Sequence, residues 1–146
     1  KIKQISTTTY EFSCPNLKSV KNIKTKEFPG YPTDLQAQLI ASLLKVGQKS
    51  KITENIFENR FIHIPELRRF GAQLEIEGNT VVINKTNELF GAEVMATDIR
   101  ASFSLIIAAI ISKGTTTINR IYHLDRGYED FDLKLKKCGV NIKRKK

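Results

Sequence analysis

The feature that most constrains the fold is an internal echo. Tyr31-Pro32-Thr33-Asp34-Leu35-Gln36-Ala37 returns as Met95-Ala96-Thr97-Asp98-Ile99-Arg100-Ala101. In both copies a Thr-Asp pair stands directly before a long apolar run. Each run ends at a glycine (Gly47, Gly114), and an arginine follows in a polar stretch (Arg60, Arg126). Self-similarity of this kind marks a repeated supersecondary unit. Strand-like segments beside helix-length apolar patterns make that unit βαβ-like. The chain therefore reads as an α/β protein with two copies of one unit and a fragment of a third in front.

Its 146 residues are enough for one domain with a real core, and an apolar fraction of 40% with 27% charged residues is ordinary for a globular chain. A net charge of +9 fits either a nucleic-acid binder or a lysine-rich surface around a site for a small anion. The lysines are scattered except in the tail Lys143-Arg144-Lys145-Lys146, which favours the small anion and makes the tail a solvated chain end. Cys14 and Cys138 have no metal-type spacing and form no disulfide framework, which fits a reducing, cytoplasmic setting, with both thiols as core fillers. The longest apolar run, 105–111, is far short of the ~20 residues that span a bilayer, and no secretory signal is present, so no membrane association is expected.

Residues 1–14 read as two short strands and a turn, with Tyr10, Phe12 and Cys14 on one face. A short strand around Val20 and Ile23 is possible in the polar stretch that follows. Two prolines stiffen Phe28-Pro29-Gly30-Tyr31-Pro32, and Thr33, with Gln36 three residues on, fits a helix N-cap and capping box. Leu35, Leu39, Ile40, Leu43 and Leu44 then form an apolar stripe that stops before Gly47. A strand over 50–53, a loop over 54–61, a short helix over 65–70 ended by Gly71, and a hairpin of 72–77 and 80–84 around Gly78-Asn79 complete the first unit. A link over 85–91 leads to the second. There Thr97 is the expected cap, 101–111 a helix buried on most sides, 115–118 a strand and 119–128 a loop. A helix over 129–137 turns Phe131, Leu133 and Leu135 partly inward, and 140–143 starts a hairpin without its second strand. The boundaries expected are a truncated repeat and linker over 1–27, a complete repeat over 28–90, and a repeat lacking its last strand over 91–146.

Asp34 and Asp98 each follow an expected cap. Either they favour the positive end of a helix dipole, worth about 0.3–1 kcal/mol, or they are cleft-facing carboxylates that accept a proton or hold a hydroxyl. Arg100 stands in the first turn of a helix, where the dipole disfavours a cation, which points to an anion nearby. With Arg60 and Arg126 it could clamp phosphate or carboxylate oxygens. His63 and His123 lack companions at ligand spacing and read as satisfied loop histidines, so no metal is expected. No Gly-rich phosphate loop, zinc pattern, nucleophile elbow or RNA-binding sheet signature is present.

These residues sit in longer strings. Phe28-Pro29-Gly30-Tyr31-Pro32-Thr33-Asp34-Leu35-Gln36, Thr53-Glu54-Asn55-Ile56-Phe57-Glu58-Asn59-Arg60-Phe61, Gly91-Ala92-Glu93-Val94-Met95-Ala96-Thr97-Asp98-Ile99-Arg100 and Arg120-Ile121-Tyr122-His123-Leu124-Asp125-Arg126-Gly127-Tyr128-Glu129 resemble the UDP-N-acetylglucosamine 1-carboxyvinyltransferase family of enolpyruvyl transferases, over essentially the whole chain. The sister family of the shikimate pathway shares the repeat but not these strings.

The resemblance implies an inside-out α/β barrel of βαβαββ units, of which this chain is most of one of two halves and the C-terminal part of the family sequence. It implies transfer of enolpyruvate from phosphoenolpyruvate to the 3-hydroxyl of UDP-N-acetylglucosamine, the first committed step of peptidoglycan synthesis, with no cofactor. Asp34 matches the base on the sugar hydroxyl, and Ile56 a residue whose backbone meets the nucleotide sugar. Arg60 and Arg126 match arginines on the phosphoenolpyruvate side, and Asp98 and Arg100 the pair at the reacting centre. The N-terminal half, which carries the family's catalytic Cys, is the implied partner, and without it the isolated chain is expected to be inactive. Neither Cys14 nor Cys138 matches that Cys in context. The alternatives are an inactive remnant of such an enzyme and a basic nucleic-acid-binding domain.

Overall fold

The structure is a computed structural model and describes residues 1–13 and 20–145. It opens with β1 (Ile2–Gln4) and β2 (Tyr10–Phe12), paired antiparallel as expected. Both strands are exposed; the expected inward position of Cys14 lies outside the described residues, and Cys138 is exposed and fills no core position. The next elements form a larger unit. β3 (Asn22–Lys24) pairs parallel with β4 (Ser50–Thr53) across the crossover helix α1 (Gln36–Leu43). After α2 (Ile64–Arg69) come β5 (Leu74–Glu77) and β6 (Thr80–Ile83), antiparallel to each other, with β6 also antiparallel to β4. The sheet order is β3-β4-β6-β5, so the chain order is βαβαββ and its first strand lies ahead of Phe28. A second βαβ follows: β7 (Glu93–Met95), α3 (Ile99–Ile111) and β8 (Thr117–Asn119), with β7 and β8 parallel. Two short helices, α4 (Tyr122–Asp125) and α5 (Phe131–Lys137), close the chain.

The helices lie inside. α1 packs chiefly against α3. Ile40, Ala41, Leu43 and Leu44 of α1 meet Leu105 and Ala108 of α3 in one cluster, and Ile52, Leu74, Val81, Ile83 and Val94 close it from the strands. Alanines at the helix contacts let the two backbones approach, and each fully buried Leu or Ile contributes about 1.5–3 kcal/mol. Two serines sit within α3 at this seam, and each bonds back to its own helix: Ser104 Oγ donates to the Ala101 carbonyl at 2.5 Å, and Ser102 Oγ to that of Asp98. A smaller cluster of Ile106, Leu124 and Phe131 lies under α4 and α5.

Several sequence expectations need correction. Thr33 and Thr97 are not caps. Thr33 belongs to a 3-10 turn (Thr33–Leu35) and turns its hydroxyl away from α1, while α3 is capped by Asp98, whose Oδ1 accepts from Arg100 N at 2.8 Å and Ala101 N at 2.9 Å. Leu35 lies outside the stripe, 51% exposed, because the 3-10 turn shifts its phase, and Leu133 is 50% exposed. The stretch 85–91 is followed by a strand, β7, that the link hid. The strand after α3 begins at Thr117, and the expected loop 119–128 contains α4. Residues 140–145 form no strand. Nor is the tail simply solvated: the Arg144 guanidinium grips Asp125 with two nitrogens, at 2.5 and 3.1 Å, and Asp132 with Nε at 3.0 Å.

Candidate active site

The site is built at the C-terminal ends of the parallel pair β3 and β4. The residues just beyond them are Thr25 and Glu54, and both are buried. Glu54 takes a carboxylate into that position, and four donors meet it. Thr25 Oγ1 and the Ile56 amide reach Oε1 at 2.8 Å, the Phe57 amide reaches Oε1 at 3.2 Å, and Thr33 Oγ1 reaches Oε2 at 2.8 Å. Burial works against the charge, but the Ile56 amide, the two threonine hydroxyls and the Phe57 amide outweigh it and hold the carboxyl below the ordinary glutamate range. The backbone of Glu54 is held as well. Its N–H donates to the Asn79 carbonyl at 2.8 Å, and its C=O accepts from Asn79 Nδ2 at 3.1 Å.

From this knot two segments run outward. One is the turn Thr33–Leu35, which carries Asp34. The other is the loop from Asn55 to Phe61, which bends at Asn59, in left-handed backbone at φ 53°, a conformation Asn tolerates better than most residues. The bend lays the Arg60 guanidinium over the Phe57 ring, 4.7 Å from its centre, and brings Nη2 to Asp34 Oδ1 at 3.0 Å. From the second unit, Arg100 Nε reaches the same Oδ1 at 2.5 Å. One carboxylate thus joins arginines from both halves of the echo. The anion that the misplaced cation at the start of α3 pointed to is here Asp34 itself. The pairs are solvent-exposed on the Asp34 side (57% of the side chain) and contribute little to stability.

Asp98 is one turn away as the cap of α3, its Oδ1 engaged by backbone amides. Arg126 does not join the cluster. It is exposed, without an ion pair among the described residues, and lines a separate cavity of about 700 Å³ together with Tyr128, Asp130 and Arg144. Gly127 beside it lies against Ile99 so closely that a Cβ would stand 2.9 Å from Ile99 Cγ2, which lays this segment on the first residue of α3. Ile56 is exposed in the same loop as Arg60, its amide already donated to Glu54. With Phe57, Arg60, Ile76 and Asn79 it lines an open cavity of about 790 Å³, a size suited to a small molecule.

Sequence reasoning missed two groups. In the sequence Glu54 reads as one residue of the loop 54–61. No local signal marks it, because its donors come from Thr25, Thr33 and its own loop. His63 is not a satisfied loop histidine. It stands at the start of α2, 1% exposed, with both ring nitrogens unpartnered. Burial drives its pKa from 6.5 down to about 4; the negative charge of Asp98 and the Arg60 carbonyl pull it back only in part, and the Arg60 charge lowers it further. His123 lies beside Tyr122, ring centres 4.3 Å apart, with Arg120 Nη2 3.4 Å from Nε2. No group of three or more His, Cys, Asp or Glu able to hold a metal occurs among the described residues, and no helix is long and apolar enough to cross a membrane.

The family model described as EPSP synthase (3-phosphoshikimate 1-carboxyvinyltransferase) matches residues 3–135. The chain belongs to this family of enolpyruvyl transferases. Its curated relatives include the UDP-N-acetylglucosamine 1-carboxyvinyltransferase of Pelagibacter ubique, 58% identical over 123 residues that are 84% of this chain and 30% of that protein. The enzyme of the same name from Bartonella henselae is 53% identical over 133 residues, 88% of this chain and 31% of its own. The chain thus spans about 30% of the length of these relatives. Among solved structures, the enolpyruvyl transferase NikO from Streptomyces tendae matches with a TM-score of 0.76 and 28% identity, over 84% of this chain and 28% of that one. The βαβαββ order with helices inside is therefore part of the inside-out α/β barrel of this family.

Proposed function

We propose that this chain is the C-terminal part of a UDP-N-acetylglucosamine 1-carboxyvinyltransferase, a cytoplasmic enzyme of peptidoglycan synthesis, and that it supplies one wall of the active site. The observation that carries the reading is Asp34, held between Arg60 and Arg100 from the two repeats in a chain more than half identical to enzymes of that name. The family name alone covers transfer of enolpyruvate to different acceptors. Identity of 53–58% to relatives named for the UDP-sugar favours that acceptor.

In the reaction proposed, the sugar 3-hydroxyl gives its proton to Asp34 and its oxygen bonds to C2 of phosphoenolpyruvate, while C3 takes a proton from an acid of the opposite wall, supplied by the N-terminal half. The tetrahedral adduct then loses phosphate as C3 returns a proton to that group and the enol ether forms. Phosphate and carboxylate oxygens of the substrate compete with Asp34 for Arg60 and Arg100, so substrate binding frees the carboxylate as it engages the arginines. Asp98 adds a second carboxylate at the start of α3, and Arg126, which lines a separate cavity here, is the cation that the resemblance assigns to the phosphoenolpyruvate side. Preset charges of this kind offset the charge that develops on phosphate, and Ile56 borders the cavity where the sugar would lie.

The test is Asp34→Asn in the full-length protein, with phosphate release measured from UDP-N-acetylglucosamine and phosphoenolpyruvate. Loss of a positioned base lowers turnover by about 10²–10⁴-fold, with the melting temperature little changed because the side chain is exposed. Full turnover by Asp34→Asn would remove the assignment.

A further inference from the structure

We infer that Glu54 is a positioning residue for this site: its buried carboxylate couples the Asp34 turn to the Ile56–Arg60 loop and so fixes the two against each other. The inference rests on the active-site reading above and adds to it a residue that touches no substrate.

The argument is one of connectivity. Asp34 and Arg60 lie on different segments, and the contact between their side chains is exposed. Exposed ion pairs do not hold two backbones in register. What joins the segments beneath that contact is Glu54. Oε2 takes the hydroxyl of Thr33, the residue directly before Asp34, at 2.8 Å. Oε1 takes the amides of Ile56 and Phe57, the first turn of the loop that ends at Arg60. Both oxygens are therefore occupied, one by each segment.

The carboxylate itself cannot wander. Thr25 fixes it from β3, and the Thr25 oxygen in turn accepts the Asn55 amide at 2.9 Å. Asn79 holds the Glu54 backbone at both its N–H and its C=O. Every neighbour is thus a donor to the side chain or a clamp on the main chain, and at 3% exposure water has little access. The side chain points away from solvent, so it is placed to orient Asp34 and Arg60 and not to react. A small displacement at such a point moves both reacting-side groups, and misplacement by about 1 Å can cost about 10²-fold in rate.

The test uses the full-length protein with two substitutions, alone and together: Glu54→Gln, which keeps the shape but cannot accept from every donor at once, and Thr33→Val, which removes one donor with little change of volume. Each single variant is expected to raise KM for the UDP-sugar or lower kcat by about 10- to 100-fold, at equal folded fraction by circular dichroism. The double variant should be no worse than the worse single, since both break one link. A merely structural role would lower the melting temperature and leave KM and kcat per folded molecule unchanged, and that result would overturn the inference, as would additive losses. If Glu54→Gln does not fold, Thr33→Val decides alone by the same criteria. Asp34→Asn, run alongside, separates the two failures. An inactive Asp34→Asn beside fully active Glu54→Gln and Thr33→Val would sink the role of Glu54 only. A fully active Asp34→Asn would sink the site and this role with it.

Discussion

At the scale of single residues, His63 makes the sharpest demand on the environment. An imidazole at 1% exposure, where burial outweighs the Asp98 charge and the Arg60 carbonyl, stays neutral in the fold. The unfolded chain protonates it near 6.5, while the folded chain holds it neutral until about 4. Between those values the unfolded state binds more protons, so stability is fully present above 6.5 and is lost as the pH falls toward 4. One such group gives a slope of at most about 1.4 kcal/mol per pH unit. Urea denaturation at several pH values across that window is expected to show the slope in the wild type and a shallower one in His63→Leu. An unchanged slope would assign the acid sensitivity to other groups. Glu54 works in the same direction, as its folded pKa lies below the ordinary range, so the comparison with His63→Leu is what isolates the imidazole. Neither residue was legible beforehand. A sequence displays residue types and spacing, whereas burial of a lone His or Glu depends on which distant segments cover it. The echo sets Asp34 and Asp98 at the same point of two units, with Arg100 two residues on and Arg60 in the polar loop after the first helix. The contact of Asp34 with Arg60 and Arg100 was not legible, since it depends on how the two units pack.

At the scale of elements, the long helices, the strand over 50–53 and the hairpin around Gly78-Asn79 are legible in the sequence, and the short β7 and α4 are not. α1 and α3 carry enough apolar residues at helical period for the pattern to outweigh noise. β7 has three residues and one buried side chain, Val94, which no periodicity can reveal. The cap of α3 lies one residue past the expected Thr97, because Thr and Asp are both good caps and only the structure says which one turns its oxygen to the helix; α1 instead follows a 3-10 turn, with Leu35 at the N-cap position and no side-chain cap. What holds β7 in place is legible after the fact in Gly91. A Cβ there would stand 2.2 Å from the Thr115 carbonyl oxygen, in the same place where the Gly91 amide donates to the Lys113 carbonyl at 2.7 Å. The clash is with backbone, so no side-chain rotation relieves it. Gly91→Ala is expected to cost at least about 2 kcal/mol and to release the amide at position 91 to exchange. Urea denaturation with amide hydrogen exchange measures both. Unchanged stability would mean that β7 and β8 are not joined as described.

At the scale of the whole molecule, the geometry separates what one set of repeats can do from what catalysis requires. The wall formed here has its carboxylate and two arginines on an exposed surface, with 57% of the Asp34 side chain open to solvent. In such a setting water competes with every polar contact, and charge stabilisation of the transition state is weak compared with that in a closed, dry site. Two substrates must also be held in register, which an open wall cannot do. The relatives that carry the named activity are more than three times as long as the segment they share with this chain. The chain produced alone is therefore expected to fold around its helix seam, to bind the UDP-sugar weakly, and to release no phosphate from the substrate pair above background. Titration with the UDP-sugar followed by chemical shifts at Asp34, Ile56 and Arg60 checks the binding, and a phosphate assay on the same sample checks the chemistry. Turnover by the isolated chain would show that one wall suffices, and would place the whole of the catalytic charge within Asp34, Arg60, Asp98, Arg100 and Arg126.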